Sequence, residues 1–166
     1  MQPRWLAAVG ASAIAIVVGI TAADASSCIR NDERTAFQVR ALQTELMVAA
    51  LSCNAHQEYN AFVTRFKSAL NKHGHTMNGY FSRAFGQAGE REATRYTTGV
   101  ANRSALASTT DMNMFCDTSI TTLHDVLQVA AKDFEGFMLG RKAFASDFGP
   151  AASAQVCTAA ATKPTS

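Results

Sequence analysis

The sequence predicts an all-α fold, an antiparallel helical bundle of four to five helices stapled by two disulfides. Beyond residue 30, apolar residues recur at spacings of three and four, which is the period of one helix face. No stretch alternates apolar and polar residues for long enough to form a convincing strand. The chain has 4 cysteines, all after the N-terminal apolar segment, and an even number of widely separated cysteines is typical of disulfides in exported proteins.

The N-terminal residues are typical of a secretory signal peptide. Arg4 precedes an uncharged apolar run over 6–20, and Ala25 ends a small-residue tripeptide of the kind that signal peptidase reads. We therefore predict a cleaved signal peptide over residues 1–25 and a soluble, periplasmic or secreted protein. The run is shorter than the roughly 20 residues of a transmembrane helix, so we expect no transmembrane anchor in the mature chain. A lipid anchor on Cys28 is the competing interpretation, but Ala25 stands where a lipoprotein signal has a large aliphatic residue.

The first helices follow soon after the signal peptide. An N-cap at Asn31 or the next residue, followed by an apolar face that continues to Cys53, predicts the first helix. A second apolar stripe runs from Tyr59 to His73, but its phase does not continue the first. We therefore expect a bend or break between the two stripes. Because no glycine or proline marks the junction, a single bent helix over 33–73 remains an alternative.

Glycines and capping residues divide the rest of the chain. Gly74 is expected to end the second helix as a left-handed cap, and a short aromatic helix should follow over 77–85. Residues 90–108 predict a fourth helix with a thin apolar face. Asp117 or Ser119 is expected to cap the last helix, whose apolar rows continue to Phe137.

The length of the chain after the signal peptide is that of one domain, which is enough to bury a hydrophobic core. We assign residues 26–149 to the helical bundle. Residues 150–166 are rich in alanine, serine and threonine and have no periodic face. They predict a loose tail that is tethered to the bundle by Cys157.

The order of the helices predicts how the cysteines pair. Successive long helices in such a bundle run antiparallel, which brings Cys53 and Cys116 to one end and Cys28 and Cys157 to the other. The sequence therefore predicts the disulfides Cys53–Cys116 and Cys28–Cys157. Zinc binding is the alternative use of four cysteines, but none occurs in the C-x-x-C spacing that is typical of zinc sites.

Charge and motifs argue against several classes of function. The formal net charge is +2, and the basic residues are spread among acidic ones, so nucleic acid is not an expected partner. The sequence contains neither G-x-S-x-G nor H-E-x-x-H, and disulfide-bonded cysteines are not nucleophiles. We therefore predict that the protein has no catalytic activity.

Side chains that bind metals crowd together in the segment NKHGHTM. Its His73, His75 and Met77 are of the types that Cu(I) accepts, and Met112 and Met114 form a second candidate pair. The predicted topology places these two clusters at opposite ends of the bundle, with at most three ligands in each. Copper binding is therefore an alternative prediction. The simpler interpretation is structural, with His73 in the last turn of a helix that Gly74 ends.

Haem is the other cofactor considered. A non-covalent haem held between Met47 and His124 inside the bundle would need both side chains to lie in the interior. Lone methionines at helical spacing usually fill a core, so no cofactor is predicted as the main interpretation.

An aromatic and basic segment over 78–85 is the third candidate site. Phe81 and Phe85 share a helix face, Arg83 lies off that face, and Tyr80 precedes them. Packing in the core is the simpler use of these residues; a hydrophobic surface with a basic rim is the other. The sequence thus predicts an exported helical binding or envelope-associated protein without catalytic activity, whose partner is another envelope protein or a small ligand. The alternative is a periplasmic copper or haem binding protein.

Overall fold

A computed structural model describes residues 28–143 and 148–157 of the chain. Its helices are α1 (Asn31–Ser52), α2 (His56–Arg65), α3 (Lys67–Phe85), α4 (Gly89–Thr110), α5 (Met112–Gln128) and α6 (Phe134–Leu139), with a four-residue helical turn, α7 (Pro150–Ser153). Apart from an isolated parallel bridge between Ile29 and Val156, no strand pairing occurs in these two ranges. The prediction of an all-α fold with two disulfides is confirmed. The predicted signal peptide lies outside the described residues.

The central helix of the bundle is α1, which contacts every other helix in the two described ranges. Phe37 shows why α1 holds the bundle together. Its ring packs edge-on against Tyr80 and Phe81 of α3 and against Tyr96 of α4, with ring centroids 4.9 to 5.5 Å apart. The Tyr96 hydroxyl also donates a hydrogen bond to the Phe37 carbonyl at 3.2 Å. Aromatic pairs of this geometry contribute about 0.5–1.5 kcal/mol each beyond the area that they bury.

A buried carboxylate fixes the start of α1. The N-cap is Arg30, one residue before the earliest position predicted. The backbone N–H of Arg30 donates a hydrogen bond to the Glu33 carboxylate at 2.8 Å. Arg83 of α3 donates to the same carboxylate at 2.6 Å. Although burial alone raises the pKa of Glu33, the hydrogen bonds from Arg83 and Arg30 hold that pKa below its usual value. Glu33 therefore stays charged and ties α3 to the first turn of α1.

The predicted break after the first helix is confirmed. α1 ends at Ser52, and Asn54 has φ 59°, the left-handed conformation that asparagine tolerates better than most residues. A single bent helix over 33–73 is therefore wrong, because α1, α2 and the first turns of α3 share that range.

The predicted helix end at Gly74 is wrong. α3 passes through Gly74 and ends at Phe85, so it joins the end of the second predicted helix to the short aromatic one. A Cβ atom at Gly74 would lie 2.8 Å from Nη2 of Arg40 in α1. Glycine at this position thus reflects the close approach of Arg40 to α3. The helical segment is instead interrupted earlier, at Phe66, between α2 and α3. The end of α3 at Phe85, followed by Gly86 with φ 54°, agrees with the sequence prediction.

The last predicted helix begins earlier than expected and is interrupted. Asp111, not Asp117, provides the cap, because its side chain accepts a hydrogen bond from the backbone N–H of Met114 at 2.9 Å. α5 then ends at Gln128, and the chain is extended at the next two residues. The apolar rows nevertheless stay in the core: Phe134, the first residue of α6, is buried.

Both predicted disulfides are present, and they lie at opposite ends of α1. Cys53–Cys116 joins the end of α1 to the start of α5, and Cys28–Cys157 joins the residues just before α1 to the end of the described chain. The sequence separation is 63 residues for Cys53–Cys116 and 129 residues for Cys28–Cys157. By the chain-entropy argument, each destabilises the unfolded chain by about 4 to 5 kcal/mol.

The first part of the predicted tail is attached to the bundle. α7 contacts α1, and backbone hydrogen bonds of 2.9 Å join Ile29 N–H to the Gln155 carbonyl and Cys157 N–H to the Ile29 carbonyl. Residues 158–166 lie outside the described part of the chain. Of the helices in that part, none combines the length and the apolar character that crossing a membrane requires.

Candidate functional site

α3 separates the residues of the predicted metal cluster. His73 and Met77 are buried on one side of the helix, whereas His75 is exposed. Two residues correspond to about 200° around a helix axis, so His75 points away from the other two side chains. Across residues 28–143 and 148–157, no group of three or more histidine, cysteine, aspartate or glutamate residues is arranged to hold a metal ion. The three side chains therefore do not form one site.

His73 belongs instead to the contact between α3 and α6. Its Nε2 lies 3.6 Å from Oε2 of Glu135, which is also 3.8 Å from Nζ of Lys72. Burial lowers the pKa of His73; the charge of Glu135 offsets part of that shift, and Lys72 adds to it. His73 is therefore neutral at pH 7.

The other sulfur and imidazole candidates lie on the surface. Met112 and Met114 are exposed, and Sδ of Met112 is 3.5 Å from Sγ of Cys116, which belongs to a disulfide. Met47 and His124, the candidates for an interior or near-interior haem site, are both exposed. A haem between these two residues has no interior site in the described bundle.

Most of the aromatic and basic segment over 78–85 packs in the core, which is the simpler of the two uses considered for it. Tyr80 and Phe81 are only 4% and 3% exposed. Arg83 is partly buried and bonded to Glu33, whereas Phe85 is 45% exposed. Of the three aromatic residues in this segment, only Phe85 presents an apolar face to solvent, which leaves little surface for the alternative use as a binding site.

A polar cleft of about 600 Å³ lies between α3 and α4. Its walls are formed by Asn78 and Ser82 of α3 and by Glu90, Thr94 and Thr98 of α4. All five side chains are exposed. The exposed walls of the cleft therefore offer hydroxyls and an amide, which donate and accept hydrogen bonds, and one carboxylate, which accepts them.

Small residues explain why the cleft has this shape. Gly89 packs so closely on α3 that a Cβ there would lie 2.8 Å from the Phe81 carbonyl oxygen and 3.0 Å from Cα of Ser82. This contact draws α4 against α3 where α4 begins. Further along, Ala93 and Thr97 leave space between the helices, and Met77 contributes an apolar part of the lining.

Arg40 enters the lining of the cleft from α1. The side chain is partly buried, and its Nη2 lies against Gly74. None of the carboxylates in the described ranges forms an ion pair with it. Its charge also reaches the core: burial raises the pKa of Tyr96, and Arg40 offsets part of that increase. The cleft thus contains a cation that no described acidic group neutralises by direct contact.

A second, smaller cleft shows the contrast. It has a volume of about 300 Å³ and is lined in part by Arg141, Phe148 and Tyr96. Arg141 forms an ion pair with Asp125 and lies 5.1 Å from the centroid of the Phe137 ring. Its guanidinium is therefore already occupied by protein groups, unlike that of Arg40.

Sequence reasoning missed Arg40. An arginine within a predicted helix is usually a solvated surface charge, and nothing in its neighbours in sequence marks it. The available signal was Gly74, a glycine inside a helical pattern, for which close packing is an explanation besides capping. Only the fold shows that Arg40 and Gly74 meet.

The lining of the cleft can form hydrogen bonds and ion pairs. Its described lining offers one guanidinium, one carboxylate, hydroxyls and an amide, and it contains neither histidine nor cysteine. The fold and this site together define a disulfide-linked all-α domain with a polar cleft. Comparison with models of protein families, with curated proteins and with solved structures finds no match to this chain.

Proposed function

We propose that this chain is an exported binding protein without catalytic activity, which takes a small ligand in the cleft between α3 and α4. The observation that supports this proposal is Arg40, a partly buried cation without a carboxylate partner in the described ranges, at a cleft of about 600 Å³. Small-molecule sites typically enclose roughly 300–1,000 Å³ and contain a few placed polar groups. A partly buried charge without a partner is less well solvated than the same charge in water. A ligand group that pairs with Arg40 therefore forms a favourable interaction that the free protein lacks.

The export part of the proposal rests on the sequence and on the disulfides. Residues 1–25 have the pattern of a secretory signal, and two disulfides suit the oxidising periplasm or the extracellular space. N-terminal sequencing of the protein recovered from the periplasm or the medium of a bacterial host tests this. A mature N-terminus at Ser26 supports export, whereas an intact Met1 in a cytoplasmic fraction contradicts it.

The groups that the described lining offers support a binding function rather than catalysis. General acid-base or nucleophilic catalysis needs a nucleophile within hydrogen-bond reach of a base. The Thr97 hydroxyl instead donates to the Ala93 carbonyl of its own helix at 3.0 Å. Glu90, the one carboxylate of the described lining, is exposed to solvent.

Copper or haem binding is the less favoured alternative, because the donors proposed for it diverge. His73, His75 and Met77 lie on different sides of α3, and Met47 and His124 are exposed. An absorption spectrum and an elemental analysis of the purified, disulfide-bonded protein test this alternative directly. A Soret band or stoichiometric copper would restore it.

Thermal unfolding in the presence of a ligand library tests the cleft. The library contains organic anions, amines, amino acids, short peptides and sugars. A compound at about 100 times its Kd stabilises the folded protein by about 2.7 kcal/mol, which raises the Tm by several degrees. Thr94→Trp fills the cleft from an exposed position of α4. Thr118→Trp places the same side chain on an exposed position of α5, outside the cleft, and is the matched control.

We expect at least one compound to raise the Tm of the wild type and of Thr118→Trp but not that of Thr94→Trp. If every stabilising compound acts equally on Thr94→Trp, or if no compound acts at all, the proposal that this cleft is the binding site is wrong.

A further inference from the structure

We infer that the ligand of this cleft is a short zwitterion of about tripeptide length, whose carboxylate binds Arg40 and whose ammonium group faces Glu90. This inference rests on the proposed binding function and names the chemical class of its ligand. It is carried by the charges of the lining, by their separation along α3, and by the polar groups that lie between them.

The first step concerns the anionic group. A guanidinium presents its N–H groups in a rigid planar fork that matches the two oxygens of a carboxylate. Nη2 of Arg40 lies against Gly74, and no acid in the described part of the chain forms an ion pair with this side chain. A ligand carboxylate is therefore the natural partner of this guanidinium.

The second step concerns net charge. Arg40 is accompanied in the described lining by one acidic residue, Glu90, and by no second cation. A dianion such as a phosphate monoester would meet one positive and one negative group, and like charges disfavour binding. A ligand with one carboxylate and one ammonium group matches both residues.

The third step concerns distance. The Arg40 guanidinium lies at the level of Gly74, whereas Glu90 lies at the level of Ser82, because the adjacent Gly89 packs against the Ser82 backbone. Gly74 and Ser82 are eight residues apart in one helix, which corresponds to about 12 Å at 1.5 Å per residue. An extended tripeptide spans about 10 Å, so its two ends reach these two levels of α3, and the flexible side chains of Arg40 and Glu90 can adjust to form an ion pair at each end.

The fourth step concerns the space between the two charges. Asn78 lies midway between Gly74 and Ser82 on α3, and Thr94 faces the cleft from α4. An amide and a hydroxyl can both donate to and accept from peptide groups. Met77 and Ala93 add apolar surface for small side chains. This lining suits a peptide backbone better than a purely apolar chain of the same length.

Isothermal titration calorimetry with three probes tests the inference. The probes are tri-alanine, N-acetyl-tri-alanine, which lacks the ammonium group, and tri-alanine amide, which lacks the carboxylate. The wild type should bind the amide at least tenfold more weakly than tri-alanine, because a charge-assisted hydrogen bond is lost. It should bind the acetylated peptide about threefold more weakly, because Glu90 is exposed and its ion pair is weak.

Variants assign each end of the ligand to a residue. Arg40→Gln should bind tri-alanine and its amide equally, and Glu90→Gln should bind tri-alanine and its acetylated form equally. Arg91→Gln and Asp117→Asn remove exposed charges outside the cleft and should keep the wild-type preferences. Free alanine cannot span both charges and should bind at least tenfold more weakly than tri-alanine. Circular dichroism and the Tm of each variant confirm folding.

The outcomes separate the inference from the function on which it rests. If Arg40→Gln still distinguishes tri-alanine from its amide, or if the wild type binds all three probes equally or not at all, the inference is wrong. If another library compound then stabilises the wild type but not Thr94→Trp, the proposed function survives that failure. If no compound distinguishes wild type from Thr94→Trp, the proposed function fails as well.

Discussion

Replacing Gly74 by alanine tests the relation between α3 and Arg40. Glycine inside a helix costs about 0.5–1 kcal/mol relative to alanine, so helix propensity alone favours the substitution. The opposing effect is steric, because the new Cβ would lie 2.8 Å from Nη2 of Arg40. Nη2 is the end of a flexible side chain and can move away at little cost. We therefore expect Gly74→Ala to stabilise the protein by up to about 1 kcal/mol and to raise the Tm by about 3 to 5 °C.

The same substitution should damage ligand binding. A guanidinium displaced by an ångström no longer presents its two N–H groups to a carboxylate in the bidentate geometry. We expect the affinity for tri-alanine to fall about tenfold, which corresponds to about 1.4 kcal/mol. Greater stability combined with weaker binding is a signature that a merely structural glycine would not give.

Gly79→Ala is the matched control. Gly79 lies in α3, is exposed, and has no atom within 4 Å of the position that a Cβ would take. It should give the same gain in stability without any change in affinity. Thermal unfolding and urea unfolding with intact disulfides measure the first effect, and calorimetry with tri-alanine measures the second. A loss of more than about 1 kcal/mol in Gly74→Ala, with the expected gain in Gly79→Ala, would refute the reasoning, because Arg40 would then be fixed by contacts that the fold requires.

Three further predictions concern the fold. Replacing both cysteines of Cys53–Cys116 by alanine should cost about 4 kcal/mol in urea unfolding, because that bridge closes a 63-residue separation; an unchanged midpoint would show that the reduced chain is already constrained. Burial lowers the pKa of His73 below 6.5 in the folded protein, and the charge of Glu135 offsets part of that shift. As the pH falls, this histidine is therefore protonated in the unfolded chain before it is protonated in the folded one. Stability should therefore be complete above about pH 6.5 and fall as the pH drops below that value, and His73→Gln should flatten this part of the curve; an unchanged slope in the variant would contradict this assignment. Phe81→Ala should cost about 3–5 kcal/mol, whereas Phe85→Ala should change the stability by less than about 1 kcal/mol; equal losses would mean that Phe85 is not exposed.

The cysteine pairing was predictable even though one helix boundary used to derive it was wrong. The pairing depends only on how often the chain reverses between cysteines. The wrong helix end at Gly74 divided α3 into the end of a long helix and a short aromatic helix. The short helix was placed as a turn at the end of the bundle where α3 itself ends, so the direction of the next helix was still correct. The number of reversals between Cys53 and Cys116 was therefore unchanged, and both bridges followed.

The helix breaks at Phe66 and after Gln128 were not predictable from local sequence. Both depend on contacts between distant parts of the chain. Phe66 stacks on Phe134 of α6 with ring centroids 4.6 Å apart. Arg65 of α2 donates hydrogen bonds to the carbonyls of Leu127 and Val129 at 2.6 and 2.9 Å. It thereby satisfies acceptors that the end of α5 leaves open, as a basic residue near a helix C-terminus can.

The candidate site also could not be predicted from the sequence, because it too depends on contacts between distant parts of the chain. Arg40, Gly74 and Glu90 lie on three different helices, and each residue alone has an ordinary explanation. The metal cluster showed the opposite error, because residues close in sequence are separated by the turn of one helix. Periodicity places side chains on a face, but it does not show which faces meet.

The nested order of the disulfides has a consequence for how the protein must be made. Cys28 is the first cysteine to leave the ribosome and Cys157 the last, whereas Cys53 and Cys116 pair between them. In a compartment that oxidises thiols as the chain arrives, the earliest available partner for Cys28 is Cys53, which is the wrong one. Correct assembly therefore requires either that Cys28 stays reduced until Cys157 has arrived or that an isomerase later exchanges a wrong Cys28–Cys53 bridge for the native one. The yield of native protein should thus depend on whether Cys28 stays reduced until then or is released from a wrong bridge by isomerisation, and not on the rate of disulfide formation alone.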